Sequence, residues 1–404
     1  MFAGRFFPGR YFPPRYFPQV GADPPVVIVQ ESGIEYLVEL RDNNFNLVGR
    51  LEDEIESLQW GYSRIGGCDA LRMVLNRKIE DFGNLSVDYD VQIKLRNPAT
   101  NDYDLWWRGF LEQREPIFGE KERVSVDGFG YIAQLQRINV NQTYTTTEVS
   151  AIVDDILTNL IVPNTKIVRN AAKIATTGVT LDSIQFKDVP ADQAIKTLAE
   201  TVGTREWGVD RTREFFFQAR SSTILKRYIA GKDVEEFRVL DSFGTIINRV
   251  IIEGGDVAGV KFRRVVSDAA SITKYGLRER VVVNNAITTN AVADAYGAAI
   301  LRESAALARR ASASIYKVES LIESSTPLGT IILRGILGGT TWGTKKWGTF
   351  LWGGEFSYQP NNIRYSLNRG GRLDVRIELG QRRPELVEVI REMGLRLEEV
   401  RARA

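Results

Sequence analysis

The chain has 404 residues, enough for two or three domains with full cores, and 43% of them are hydrophobic. Its 53 basic and 51 acidic side chains nearly cancel, so no overall field draws it to nucleic acid or an anionic membrane. With no histidine and a single cysteine, Cys68, it excludes imidazole bases, Ser-His-Asp and Cys-His nucleophile systems, HExxH zinc sites, intrachain disulfides and cysteine-built metal centres. Carboxylate pairs stay open, but a chain this rich in acids always offers some. The residues give no ground for an enzyme, a cofactor or a metal.

Residues 1–25 carry a five-residue repeat: Arg5-Phe6-Phe7-Pro8-Gly9, Arg10-Tyr11-Phe12-Pro13-Pro14 and Arg15-Tyr16-Phe17-Pro18-Gln19. Proline at every fifth position blocks a helix and favours an extended or polyproline-like arm. Rings left in water are costly, since each one buried gains roughly 1.5–3 kcal/mol. The arm is therefore expected to dock, either stapling an adjacent subunit or folding back on its own domain. Stacking on single-stranded nucleic acid is a third reading. A signal peptide would show a leucine-rich core here, and no run reaches the length of a membrane span. The chain is expected to be made in a cytoplasm, with no stable membrane anchor.

Residues 26–140 read as a first β domain. Val26–Val29 and Tyr36–Leu40 are its first strands, with Asp42-Asn43-Asn44 as a turn, and Ile55–Tyr62 alternates again. From Gly66 the pattern is strand, polar loop, then Val87/Tyr89/Val91/Ile93/Leu95 at the period of a half-buried strand. Asn97-Pro98 breaks it, Trp106–Leu111 starts another strand, and Arg123–Val126 returns antiparallel. Asp127-Gly128 ends that strand, and Tyr131–Leu135 closes the unit as a short turn or helix. This is an antiparallel barrel of meander type. Cys68 reads as a small buried hydrophobe.

Residues 141–225 read as a compact α+β unit. Thr147–Ser150 caps a helix carrying Ile152, Val153, Ile156, Leu157 and Leu160. After a strand at Ile184 and Phe186, Asp188–Asp192 caps a second helix, with Ala194, Ile195, Leu198, Ala199 and Val202 on one face and Gly203 as its stop. Glu206–Asp210 and Glu214–Gln218 form a hairpin, with Trp207 and the Phe run in the core.

Residues 226–383 read as a second β domain. Ile246–Glu253 is a strand ended by Gly254-Gly255, and Arg280–Val283 is another. A helix is expected over 289–310, and strands at 314–321, 330–333, 362–368 and 373–379. The loop 340–354 repeats Trp342-Gly343, Trp347-Gly348 and Trp352-Gly353, with Lys345 and Lys346 between. It reads as an aromatic hairpin that contacts another subunit, its host domain, or a cell-surface sugar or lipid. Residues 384–404 read as an amphipathic helix with Leu386, Val389, Ile390, Met393, Leu397 and Val400 on one face.

The order of these parts resembles the baseplate hub, or central tail-tip, proteins of long-tailed bacteriophages and related injection machines. The resemblance rests on Gly67-Cys68-Asp69-Ala70, Trp107-Arg108-Gly109, Val126-Asp127-Gly128 with Leu135, and Phe186-Lys187-Asp188-Val189-Pro190 with Leu198-Ala199. Tyr275-Gly276-Leu277-Arg278-Glu279 and Gly370-Gly371-Arg372-Leu373 with Glu378-Leu379-Gly380 complete it, over about 30–383. It implies a mainly β fold with α+β parts: two tail-tube-like antiparallel β-barrel domains around the small α+β domain; the extended N-terminal arm and the Trp-Gly loop depart from the minimal family pattern, and the C-terminal amphipathic helix follows the second barrel domain. It further implies a non-catalytic homotrimer in the virion, between a tail-tube or distal-tail ring protein and other tail-tip proteins. The tape-measure protein and, in transit, DNA pass through its lumen. Subunit-interface candidates are Arg5, Phe6, Phe7, Arg10, Tyr11, Phe12, Arg15, Tyr16, Phe17, Trp342, Trp347 and Trp352. A receptor- or carbohydrate-binding tip protein and a hexameric distal-tail ring protein stay as alternatives.

Overall fold

The computed structural model describes residues 34–76, 85–97, 100–119, 121–203, 205–221, 223–229, 234–242, 246–257, 259–285, 287–305, 308–315, 330–334, 341–342, 345–346, 355–358, 360–368 and 372–380. Within them, alternating apolar and polar residues build the first strands. These are β1 (Tyr36–Arg41), β2 (Leu47–Arg50), β3 (Ile55–Ser63), β4 (Gly66–Leu75), β5 (Asp90–Arg96), β6 (Tyr103–Ile117) and β7 (Arg123–Gly130). They pair antiparallel in the order β3-β4-β7-β6-β5-β1-β2. Val38, Leu58, Met73, Val91, Ile93, Trp107 and Val126 point inward and are fully buried. The β1–β2 turn is closed by Asp42 Oδ1, which accepts from the backbone N–H of Asn44 at 2.8 Å and of Asn46 at 2.9 Å.

Two boundaries differ from the sequence expectation. Val87 is exposed in a turn, because Asp88 takes φ 69° and bends the chain before β5 begins. Asp127-Gly128 does not end β7, which stays paired to β4 at Gly128 and to β6 as far as Gly130. A 3-10 helix (Tyr131–Arg137) then turns the chain out of the sheet, as expected.

The α+β unit follows its sequence pattern except at the start of its second helix, where Pro190 stands at the cap and no Asp188 or Asp192 side chain makes a capping bond. β8 (Asn139–Glu148) leads into α1 (Val149–Ile156), which a π turn (Leu157–Ile161) extends. β9 (Val168–Ile174), β10 (Thr180–Pro190) and α2 (Ala191–Val202) follow, then the hairpin β11 (Arg205–Val209) and β12 (Glu214–Ala219). Glu148 caps α1, its Oε2 accepting from the Ala151 N–H at 3.2 Å. Gly203, at φ 82°, ends α2 by donating its N–H to the Ala199 carbonyl at 2.8 Å. Ile152, Val153, Ile156, Ala194, Ile195 and Leu198 bury the two helices against one core, which Trp207, Phe215 and Phe217 share. β10 pairs with β8, while β11 joins β4 in parallel, Gly208 beside Gly66 and Val209 beside Gly67.

The later strands return to the first sheet. β13 (Ile224–Ile229) precedes β14 (Val234–Ser242), and an inserted unit follows: β15 (Arg249–Val257), β16 (Val260–Ser267), α3 (Ala269–Tyr275), β17 (Glu279–Val283) and α4 (Asn290–Ser304). β18 (Ala308–Ile315) then pairs with β14. β19 (Thr330–Arg334) lies between β13 and β22 (Glu355–Tyr358) in a separate sheet, and β20 (Thr341–Trp342) pairs with β21 (Lys345–Lys346). β23 (Pro360–Asn368) and β24 (Leu373–Gly380) complete the order β14-β18-β24-β23. β23 also pairs antiparallel with β3, Tyr365 opposite Trp60, and those two rings stack at 5.1 Å between centroids. One sheet thus runs from β14 to β2.

Here the expectations need further correction. α4 stops at Ser304 and not at 310, because Ala308–Arg310 open a strand held between β14 and β24. The strand expected at 314–321 already begins at Ala308, and residues 316–321 lie outside the described residues. Gly254-Gly255 do not end β15, which passes through them to Val257. Most pairs are antiparallel and the fold is mainly β, but no sheet among the described residues closes into a barrel. The described main sheet has β14 at one end and β2 at the other.

That sheet nevertheless repeats itself. In chain order, β3, β4, β6 and β7 stand in it as first, second, fourth and third. The set β14, β18, β23 and β24 has the same order and the same antiparallel sense, and β23 meets β3 where the two sets join.

Candidate functional site

The predicted contact residues are largely beyond view. Arg5, Phe6, Phe7, Arg10, Tyr11, Phe12, Arg15, Tyr16, Phe17, Trp347 and Trp352 lie outside the described residues, as do Val26–Val29 and the tail from Pro384. Trp342 stands in the two-residue ladder with Lys345–Lys346, the hairpin its repeat suggested. Among the described residues no three His, Cys, Asp or Glu side chains converge as a metal site would require, and no helix is long and apolar enough to cross a membrane.

What the chain does build with care is the seam between the first sheet and the α+β unit. A Cβ on Gly67, which has φ 80°, would lie 2.0 Å from the Val209 carbonyl oxygen. Cys68 beside it is fully buried, and burial pushes its thiol up to about 12, so it acts as the inert hydrophobe expected.

Below the seam, fully buried Asp90 gathers polar groups from three elements. Its Oδ1 accepts from Arg108 Nε of β6 at 2.8 Å and from the Tyr131 hydroxyl of the 3-10 helix at 2.6 Å. Its Oδ2 accepts from Gln92 Nε2 at 2.9 Å. Burial, then the Asp90 carboxylate, drives the Tyr131 hydroxyl well above its ordinary pKa. Four loops meet above this group. Lys166 Nζ donates to Asn43 Oδ1 at 2.8 Å and to the Asp88 carbonyl at 3.2 Å. Arg213 donates to the Lys166 carbonyl at 3.2 Å and lies 3.9 Å over the Phe45 ring, with Arg108 at 4.9 Å from the same ring.

Phe45, Asp88 and Arg213 all hold positive φ, at 66°, 69° and 68°. Such conformations cost roughly 1–3 kcal/mol each and persist only where surroundings over-determine them. Three of the charges are paired, Arg41 with Glu39, Arg108 with Asp90 and Lys166 with Asp88, while burial and the neighbouring Arg108 hold the Arg213 guanidinium below its ordinary pKa. This is a rigid joint that fixes loop ends. The sequence held one clue to it, an aromatic (Phe45) inside an otherwise polar turn; Asp90 gave none, since its place in an alternating strand looks solvent-facing.

Glu206 on β11 is a second buried acid at the seam, its side chain 1% exposed. Arg64 from the β3–β4 turn lies 3.6 Å from it and Arg220, just after β12, lies 3.7 Å away. Burial outweighs both guanidiniums and pushes the carboxyl up from its usual 4.5 to about 7. The folded chain therefore holds this proton more tightly than the unfolded chain. The stabilisation is complete below about pH 4.5 and is lost as pH rises through about 7. Glu206→Gln should remove that loss, making the variant about 2–3 kcal/mol more stable relative to wild type at pH 8 than at pH 4.5. Urea unfolding at the two pH values checks this, and parallel pH profiles for the two proteins would refute it.

No protein-family model matches the chain, and no curated protein matches its sequence. Solved structures match its fold. The tail protein from Neisseria meningitidis MC58 aligns with a TM-score of 0.61 and 12% identity, over 86% of this chain and 96% of that one. The 43 kDa tail protein of prophage MuSo2 from Shewanella oneidensis gives 0.59 and 15%, over 86% and 98%. Prophage tail protein gp18 from Listeria monocytogenes EGD-e gives 0.57 and 11%, over 90% and 99%. Nearly the whole length of each is matched, and the chain has the fold of prophage tail proteins.

Proposed function

We propose that this chain is a structural, non-enzymatic subunit of a phage tail tip: a homotrimeric baseplate hub that joins a sixfold tube ring to threefold tip proteins. The observation that supports it best is the repeated strand order. Three copies, each with two sheet units of the same order, supply six alike units to a sixfold ring. The fold shared with prophage tail proteins supports the tail role. In this reading the units surround a channel for DNA and the tape-measure protein in the virion, and need no cofactor. The tail-tube or distal-tail ring protein binds on one side and other tip proteins on the other. The Arg-aromatic arm and the Trp-Gly loop staple the subunits.

The native mass of the full chain, alone and with the tube protein, tests the reading. A trimer in either sample is expected. A hexamer would replace it with a distal-tail ring, and a monomer that adsorbs to host cells with a receptor-binding tip protein. Deleting residues 1–25 should leave a folded chain that assembles poorly into tails; normal tail assembly by that deletion refutes the stapling role.

A further inference from the structure

The inserted unit is a layered structure with one layer exposed. Its sheet, in the order β16-β15-β17, buries Val250, Ile252, Phe262, Val266 and Val282 with α4. A Cβ on Gly297 of α4 would lie 2.6 Å from Val266, and Arg264 grips Asp294 of that helix through two contacts of 2.8 Å. Residues of the opposite parity face the other way. There Val265, Ile251 and Val281 stand side by side across the three strands, and Val283 lies beside Glu253 in the next row. Val265 is 43% exposed, Val281 45% and Val283 51%, an aliphatic stripe on the outer face of a sheet whose inner face is already covered.

The sequence beyond Gly380 offers a candidate cover. The unit is rooted where Ser242, the end of β14, pairs with Ala308, the start of β18. Gly380, the last residue of β24, pairs with Arg310, two positions along the same strand. Gly380 thus stands at the root of the inserted unit. Three strands present a face about 10 Å across, the width of one helix. A helix over Pro384–Ala404 would be about 30 Å long, and the three residues between Gly380 and Pro384 extend up to about 11 Å. Its stripe of Leu386, Val389, Ile390, Met393, Leu397 and Val400 matches an aliphatic face, and its Glu385, Glu388 and Glu392 suit Lys261 and Arg263 on β16.

We infer that residues 384–404 dock as a helix on the Val265–Ile251–Val281 face of their own chain, making the inserted unit a helix–sheet–helix sandwich. The inference stands apart from the trimer proposal. Val281→Cys combined with Ile390→Cys in the full chain tests it, because buried Cys68 stays silent. The expected result is a cross-link within one chain. A cross-link between chains, or two thiols that both remain free, overturns it. Independently, Val281→Asp should raise the deuterium exchange rate of 384–404 at least tenfold with β3 and β4 unchanged. Unaltered exchange in that segment overturns the docking as well.

Discussion

An Asp90→Ala variant should lose about 3–5 kcal/mol of stability, the usual cost of stripping one partner from a buried ion pair. The drop is read as a lower urea midpoint at unchanged m-value. The reason is what stays behind. Arg108, whose side chain is only 13% exposed, keeps its charge with no carboxylate, and the buried Tyr131 hydroxyl loses its acceptor. Asp90→Asn separates the two effects, since an amide oxygen still accepts from Tyr131 but cannot neutralise Arg108. Its loss should fall between wild type and the alanine variant. A cost below about 1 kcal/mol for alanine, the range of exposed pairs, would show that water reaches Arg108 and that the joint is not sealed.

Gly67→Ala should be nearly as severe, at about 3 kcal/mol or more, because two penalties act together. The left-handed backbone at φ 80° costs an L-residue about 1–2 kcal/mol. The new methyl would also sit 2.0 Å from the Val209 carbonyl oxygen, which is backbone and cannot rotate away. Relief requires β4 and β11 to separate where the described residues pair, Gly66 and Gly67 against Gly208 and Val209. The variant should therefore loosen the α+β unit specifically. Faster amide exchange in β11 than in β1 or β5 is the expected pattern, and uniform exchange would argue against the seam as the weak point.

Local signals carried through to the structure where the deciding physics was local. The Glu148 cap, the Gly203 stop and the apolar faces of α1 and α2 need only neighbours within a few residues, and all are present as the spacing predicts. The Trp207 and Phe215–Phe217 hairpin was legible for the same reason. Where partners far along the chain decide, the sequence was silent. Ala308–Arg310 continue a helix-favouring stretch, yet β14 and β24 take them into a strand. Gly254 and Gly255 read as a strand end, but they are there for clearance: their Cβ positions would be 2.0 Å from the Ile287 oxygen and 2.5 Å from the Asn285 oxygen. The pairing of β23 with β3 had no local sign, and neither did Asp90, whose partners arrive from β6 and the 3-10 helix.

The β3–β23 pairing also sets a timetable. Tyr62 and Ile363 face each other across about 300 residues of sequence. At about 5–20 residues per second of synthesis, β3 waits roughly 15–60 s for its partner. During that time one side of β3 is an open edge, with Trp60 and Tyr62 lacking the strand that will cover them. An incomplete copy is thus a natural template for wrong pairing with other copies, and abundant synthesis should make holding chaperones limiting for yield. The same delay means that a chain cut short before residue 360 cannot offer a finished sheet to a neighbour.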